Sequence, residues 1–239
     1  MSPAASARPV PRRRGTVRVG AHAALALVLL ATLASCGSDT RSNTKSEAPT
    51  ANCPNPDGSS PKQTQFTKLP PTCIDSAKNY VATIATNHGT VHIALDQQLA
   101  PQTVNSIVYL ARFHYFDATP CHRAIPSFVV QCGDPTGTGT GGPGYETPVE
   151  IGGFRSYAVG DVAMAKVSGA STNGSQFFII SGKDGAALPP EYGLFGKVDP
   201  ADLPVVAALD ALGNPDPSAG GVPPIEPITI QSITISPTT

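Results

Sequence analysis

Residues 121–134 read CHRAIPSFVVQCGD, and it is from this stretch that the fold is first legible. Apolar residues lie on both sides of Pro126-Ser127, a pair suited to starting a turn. The stretch therefore reads as a β-hairpin. If Ile125 and Phe128 close the turn, the pairing that follows sets Cys121 opposite Cys132, within reach of a disulfide. Of the other cysteines, Cys36 is assigned below, so Cys53 and Cys73 remain and are expected to pair with each other, although four cysteines permit three pairings. A zinc set built on Cys121, His122 and Cys132 lacks a fourth ligand at a recognisable spacing, so no metal is expected.

Outward from the hairpin, residues 80–87 (YVATIATN) and 90–96 (TVHIALD) alternate apolar and polar around His88-Gly89 and read as a second hairpin. Pro101 stands at a helix start, and Val104, Ile107, Val108 and Ala111 follow at amphipathic spacing. A glycine-rich loop covers 133–144, candidate strands cover 161–166, 176–181 and 194–198, a second helix covers 201–212, and 225–235 alternates as a last strand. With 23 Gly and 25 Pro in 239 residues, long helices cannot dominate. The expected fold is mainly β: a closed antiparallel eight-stranded β-barrel capped by two α-helices.

The N-terminal region has a different texture. Arg8, Arg12, Arg13, Arg14 and Arg18 precede the apolar run 21–34 (AHAALALVLLATLA), which is too short to span a bilayer comfortably and reads as a secretory signal. Leu33-Ala34-Ser35-Cys36 resembles the lipobox of bacterial lipoproteins, which implies that Cys36 is lipidated and becomes the first residue of the mature chain. Residues 1–35 are thus expected to be a lipoprotein signal peptide. Residues 36–78, with almost no large apolar side chain besides Phe66 and Leu69, are expected to be a flexible tether, and 79–239 the folded domain. The expected location is the extracytoplasmic face of the cell membrane, an oxidising setting that suits disulfides. The net charge of −1 becomes −6 once the five N-terminal arginines are removed, so nucleic acid is not an expected partner.

Several motifs lead nowhere. Residues 137–142 match GxGxxG but run into Pro143-Gly144 rather than a helix, so a surface loop is expected there instead of a phosphate site. Ser171 and Ser175 have no nucleophile-elbow context. His88, His92 and His114 are read as solvated or packing residues.

Three blocks carry the chemistry: residues 122–134 (HRAIPSFVVQCGD), residues 172–179 (TNGSQFFI), and Leu188 with residues 192–198 (YGLFGKV). Their order and spacing from about 80 to 235 resemble the cyclophilin family of peptidyl-prolyl cis-trans isomerases. The resemblance implies Arg123 as the catalytic residue and Phe128, Val129, Phe178, Leu188 and Tyr192 as a socket for proline. It also implies that Gln131 and Gln176 hold the peptide backbone, which lies along Ala165 and Lys166. The implied partners are proline-containing polypeptides, met by a monomer that needs no cofactor.

The chemistry asked of these residues is modest in kind. Rotating an X-Pro bond abolishes amide resonance, a barrier of about 18–20 kcal/mol. In the twisted state the proline nitrogen regains a lone pair, and a permanently charged, rigid, multiple donor such as arginine can bond to it. That contact exists only in the transition state, so it accelerates turnover. A 10⁵-fold acceleration requires roughly 7 kcal/mol, part of it from holding the proline ring in an apolar socket. Two other classes compete: a binding module that holds proline segments without turnover, and a purely structural surface lipoprotein.

Some positions depart from the family pattern. Val129 stands where Met is frequent, Lys166 where Asn is frequent and Tyr192 where His is frequent, and the segment 166–172 is one residue longer than in the best-known members. Ala187 falls where cyclosporin-sensitive members carry Trp, and the chain has no Trp. Weak cyclosporin binding is therefore expected in a titration; a low-nanomolar dissociation constant refutes it.

Overall fold

β1 (Asn79–Thr86) and β2 (Gly89–Leu95) show why the domain curls around one core. Val91, Ile93 and Leu95 of β2 are buried while Thr90, His92 and Ala94 are exposed, the two-residue period of a sheet with one face in water. The computed structural model describes residues 53–153 and 156–238. The proposed signal segment, Cys36 and the tether up to residue 52 lie outside the described residues, as do 154, 155 and 239. No described helix is long and apolar enough to cross a membrane.

α1 (Pro101–Arg112) begins at the expected proline, and its first turn is capped from a distance: the Glu150 carboxylate accepts from Gln102 N at 3.1 Å and Thr103 N at 2.8 Å. The hairpin stretch becomes β3 (Thr119–Pro120), β4 (Arg123–Ile125) and β5 (Val129–Cys132). There follow β6 (Thr147–Pro148), β7 (Asp161–Met164), β8 (Thr172–Asn173), β9 (Phe177–Ile180), α2 (Lys183–Ala186), β10 (Leu194–Val198), α3 (Leu203–Ala211) and β11 (Thr229–Thr238).

Nine strands form one curled antiparallel sheet in the order β3-β11-β1-β2-β10-β7-β9-β5-β4, and β6 pairs with β8 apart from it. The mainly β, antiparallel fold is as expected, with nine strands in the sheet where eight are expected. β3 and β4 end the order, and no ladder joins them among the described residues. The two long helices stand where the sequence places them, joined by the short α2, and the last strand begins at Thr229 rather than at 225. The buried core lies inside the curl and includes Phe116, Phe177, Phe195 and Ile230, packed against Val104 and Leu110 of α1.

The cysteines bring one agreement and one correction. Both expected disulfides are formed, Cys53–Cys73 and Cys121–Cys132. The hairpin register, however, is displaced by one residue from the expected one: Arg123 faces Gln131, Ala124 faces Val130 and Ile125 faces Val129. The turn holds three residues instead of two because Ser127 adopts a left-handed conformation (φ 63°), fixed by its N–H donating to the Asp210 carboxylate at 2.9 Å.

Residues 53–78, expected to belong to a flexible tether, are ordered instead. They are folded onto the domain as a strap. Phe66 is buried among Tyr109, Phe113 and Tyr145, with ring centroids 5.2, 5.6 and 6.1 Å away. Gln63 N donates to Phe113 O at 2.9 Å and Phe66 N to Pro143 O at 2.7 Å, while Cys73 N reaches Asn105 Oδ1 at 2.7 Å. One aromatic anchor and one disulfide supply what composition lacks.

His114 also holds the strap, with Nε2 2.7 Å from Gly58 O and Nδ1 2.8 Å from the Asp117 carboxylate. Both nitrogens donate only in the imidazolium. The Gly58 carbonyl first, and then Asp117, raise the His114 pKa above its ordinary 6.5. A raised folded value means that this stabilisation is fully present below 6.5 and is lost as pH rises through the folded pKa. Thermal unfolding of wild type should therefore show stability falling as pH rises above 6.5 through the raised folded pKa, and His114→Gln should remove that component of the pH dependence.

Candidate functional site

The four adjacent strands β4, β5, β9 and β7 are apolar on both faces, and the site grows from that. Val130, Cys132, Phe177, Ile179, Val162 and Met164 point into the main core. The alternate residues Val129, Phe178, Ile180 and Ala163, with Tyr157, form a second buried cluster on the opposite face. Phe128, Ala165, Ala186, Leu188, Tyr192 and Leu194 pack half-buried around it. Strand pairing aligns one row across this face: Arg123 opposite Gln131, Gln131 opposite Phe178, and Phe178 opposite Ala163.

All the socket residues expected from sequence are therefore brought together. Val129 and Phe178 are nearly fully covered and form the floor; Phe128, Leu188 and Tyr192 form the rim. Phe178 and Tyr192 meet edge to face at 5.4 Å. Lys166 extends its ammonium over the Tyr192 ring at 5.3 Å, and Ala165 N donates to Gln176 O at 2.8 Å, prolonging β7 past its ladder.

Arg123 lies at the edge of this apolar patch, its Cζ 5.7 Å from the centroid of Phe128. Its Nε donates to Gly220 O at 2.9 Å and its Nη1 to Gln131 Oε1 at 3.2 Å. The relay continues: Gln131 Nε2 donates to Gln176 Oε1 at 3.0 Å, and Gln176 Nε2 to Gly141 O at 3.0 Å. Every acceptor in the chain is neutral. Burial lowers the pKa of Arg123 from its ordinary value, with Tyr192 acting in the opposite direction, but an arginine remains charged throughout the physiological range. Two of the five guanidinium N–H donors are used, which leaves three for a bound molecule.

Beside this row lies a cleft of about 680 Å³, lined by Gln131, Gln176, Ala165 and Lys166 on one side and by the glycine-rich loop on the other. That loop is not the plain surface loop its composition suggests. The Asp134 carboxylate is buried and accepts from Thr136 N at 2.7 Å, Gly139 N at 2.7 Å and Gly141 N at 3.0 Å. Burial pushes this carboxyl up, yet the donations from Thr136, Gly141 and Gly139 outweigh it and hold the pKa at about 2. The anion-binding geometry of the GxGxxG segment is thus occupied by the protein's own carboxylate. A Cβ on Gly141 would meet Asp134 Oδ1 at 2.0 Å. Among the described residues, no three His, Cys, Asp or Glu side chains are placed to hold a metal ion.

Sequence reasoning missed the supports. Tyr157 brackets Tyr192, its hydroxyl donating to Tyr192 O at 2.7 Å and accepting from Tyr192 N at 2.9 Å. Gly220 supplies the carbonyl that orients Arg123. Asp210 holds the hairpin tip through Ser127 N and accepts from Ser181 Oγ at 2.5 Å. None of these carries a local sequence signal, because each acts on a residue at least 29 positions away.

Residues 81–235 match the family described as cyclophilin type peptidyl-prolyl cis-trans isomerase/CLD. Among curated relatives, "Probable peptidyl-prolyl cis-trans isomerase B" of Mycobacterium leprae is 38% identical over 64% of this chain and 55% of its own length. Its counterpart in Mycobacterium tuberculosis is 37% identical over 77% of this chain and 63% of its own length. The chain thus spans less than two thirds of either relative. A crystal structure of a Cryptosporidium parvum cyclophilin type peptidyl-prolyl cis-trans isomerase, determined in the presence of the dipeptide Ala-Pro, superposes with a TM-score of 0.59 and 31% identity. That match covers 65% of this chain and 98% of the other.

The placement of Phe128 can be tested at Gly185 in α2, where a Cβ would come within 2.1 Å of the Phe128 carbonyl oxygen. That contact is with backbone and has no cheap relief. Gly185→Ala should destabilise the fold by about 1–3 kcal/mol in urea unfolding, while a comparable Gly142→Ala, with nothing within 4 Å, should stay within about 1 kcal/mol.

Proposed function

The chain belongs to the cyclophilin-type peptidyl-prolyl cis-trans isomerase family, and from that premise we propose that it catalyses rotation of X-Pro bonds in exported polypeptides at the outer face of the cell membrane. The observation that carries the catalytic reading is the placement of Arg123: a guanidinium held by two neutral acceptors, over the edge of an apolar socket, in one cross-strand row with Gln131 and Phe178. Proline rings are apolar and rigid. The floor of Val129 and Phe178 and the rim of Phe128, Leu188 and Tyr192 hold such a ring still by exclusion of water.

With the ring held, the residue before proline turns. The developing lone pair on the imide nitrogen accepts from Arg123, a bond that the planar ground state does not offer. Because no carboxylate among the described residues pairs with the guanidinium, its field is available to the twisted imide, and the low-dielectric surroundings strengthen it. Gln131 and Gln176 keep Arg123 in place and present polar groups to the peptide backbone along Ala165 and Lys166. No covalent intermediate, metal or nucleotide enters this scheme. The site is complete within one chain, which supports action as a monomer.

The location rests on the N-terminal sequence. The basic and apolar segments of 1–35 followed by Leu-Ala-Ser-Cys support lipidation at Cys36, and two disulfides suit an oxidising compartment.

The test is an isomerisation assay on a proline tetrapeptide with the full chain, comparing wild type, Arg123→Ala and Arg123→Lys. Arg123→Ala should lower kcat/KM by about 10²–10³-fold with its thermal unfolding still cooperative, and Arg123→Lys should restore only part of the loss. Equal rates in all three proteins would remove Arg123 from the mechanism.

A further inference from the structure

The family match begins at residue 81, so the strap of residues 53–78 lies outside the part of the chain that the family model covers. One of its residues, Gln65, enters the wall of the 680 Å³ cleft beside the Arg123 row. We propose that Gln65 is a specificity-determining residue, which reads a long hydrogen-bonding side chain flanking the proline of the bound polypeptide. The inference rests on the isomerase reading and names what that site selects.

Three observations place Gln65 there rigidly. Its neighbour Phe66 is buried in the aromatic cluster with Tyr109, Phe113 and Tyr145, and its own segment is closed by Cys53–Cys73. The strap is bonded to the far wall of the cleft: Phe66 N donates to Pro143 O at 2.7 Å, and Gln65 Nε2 to Gly142 O at 3.2 Å. Gly144 permits this approach only because it has no side chain, since a Cβ there would meet Phe66 O at 2.3 Å. A side chain carried by so constrained a backbone loses little further entropy on binding.

The chemistry of the cleft sets the ligand class. Gly141, Gly142 and Gly174 leave room in the wall, and Gln65, Glu146 and Asn173 supply polar atoms around it. Gln65 is exposed and makes one side-chain hydrogen bond among the described residues. A primary amide has two donors and a carbonyl acceptor, so capacity for a ligand remains. Because the cleft shares Gln131, Gln176, Ala165 and Lys166 with the proline site, a peptide seated there brings a neighbouring side chain to it. An apolar side chain would leave those polar groups without partners; a long polar one satisfies them.

The experiment uses the full chain as wild type, Gln65→Glu and Gln65→Lys, with proline tetrapeptides in which each position beside the proline is Ala, Gln, Lys or Glu in turn. At one position the kcat/KM ratio of the Lys to the Glu peptide should rise about two- to fivefold in Gln65→Glu and fall by a similar factor in Gln65→Lys. Opposite signs from two substitutions at one site cannot come from a loosened strap. Wild-type ratios in both variants at every position overturn the inference and leave the isomerase reading standing. If wild type turns over none of the peptides, the same ratio is taken from dissociation constants. A charge-dependent shift then upholds the role of Gln65 while the isomerase reading falls, and no shift overturns both.

Discussion

An unneutralised positive charge at the edge of an apolar surface is the constraint around which this domain is arranged. A guanidinium in such a place ordinarily recruits a carboxylate, because desolvation without a partner is costly. Arg123 has no ion pair among the described residues. It is held by a backbone carbonyl and a glutamine, acceptors that fix its direction and leave its charge intact. Those acceptors need supports of their own. Gln131 leans on Gln176, Gln176 on Gly141, and Gly141 on a loop wrapped around Asp134. The buried Asp134 carboxylate is itself satisfied by loop backbone.

Much of this was legible in the sequence, and the reasons are local. β5 alternates Val129, Gln131 outward and Val130, Cys132 inward, so position within one short strand separates site from core. Phe177 and Phe178 divide in the same way. What could not be read are contacts made across long stretches of chain, such as Tyr157 on Tyr192, 35 residues away, and Gly220 on Arg123, 97 residues away. The hairpin register departs from the sequence expectation for another reason. Pro126-Ser127 predicts a two-residue turn, whereas Asp210, 83 residues downstream, stabilises a left-handed Ser127 and lengthens the turn by one. The Cys121–Cys132 bond tolerates that shift, so a correct pairing followed from an incorrect register.

The strap shows where composition misleads. Residues 53–78 have the polarity of a linker, and averaged hydrophobicity treats them as one. Folding is decided here by a few contacts rather than by the average: one phenylalanine in an aromatic cluster, one disulfide, and backbone bonds to α1's end and to the glycine-rich loop. The same logic explains the GxGxxG segment. Its amide groups form the concave arrangement that the motif suggests, but the anion they enclose comes from Asp134, three positions before the segment begins.

The clamp at Cys53 also sets a working distance. The strap is bound down from residue 53 on, so an anchor at Cys36, if present, would be separated from folded chain by seventeen residues instead of the forty-three that a tether up to 78 implies. Seventeen residues fully stretched cover about 60 Å, against about 150 Å for forty-three. Under the lipid anchoring proposed above, so short a span would favour chains close to the bilayer as substrates over those that have diffused away.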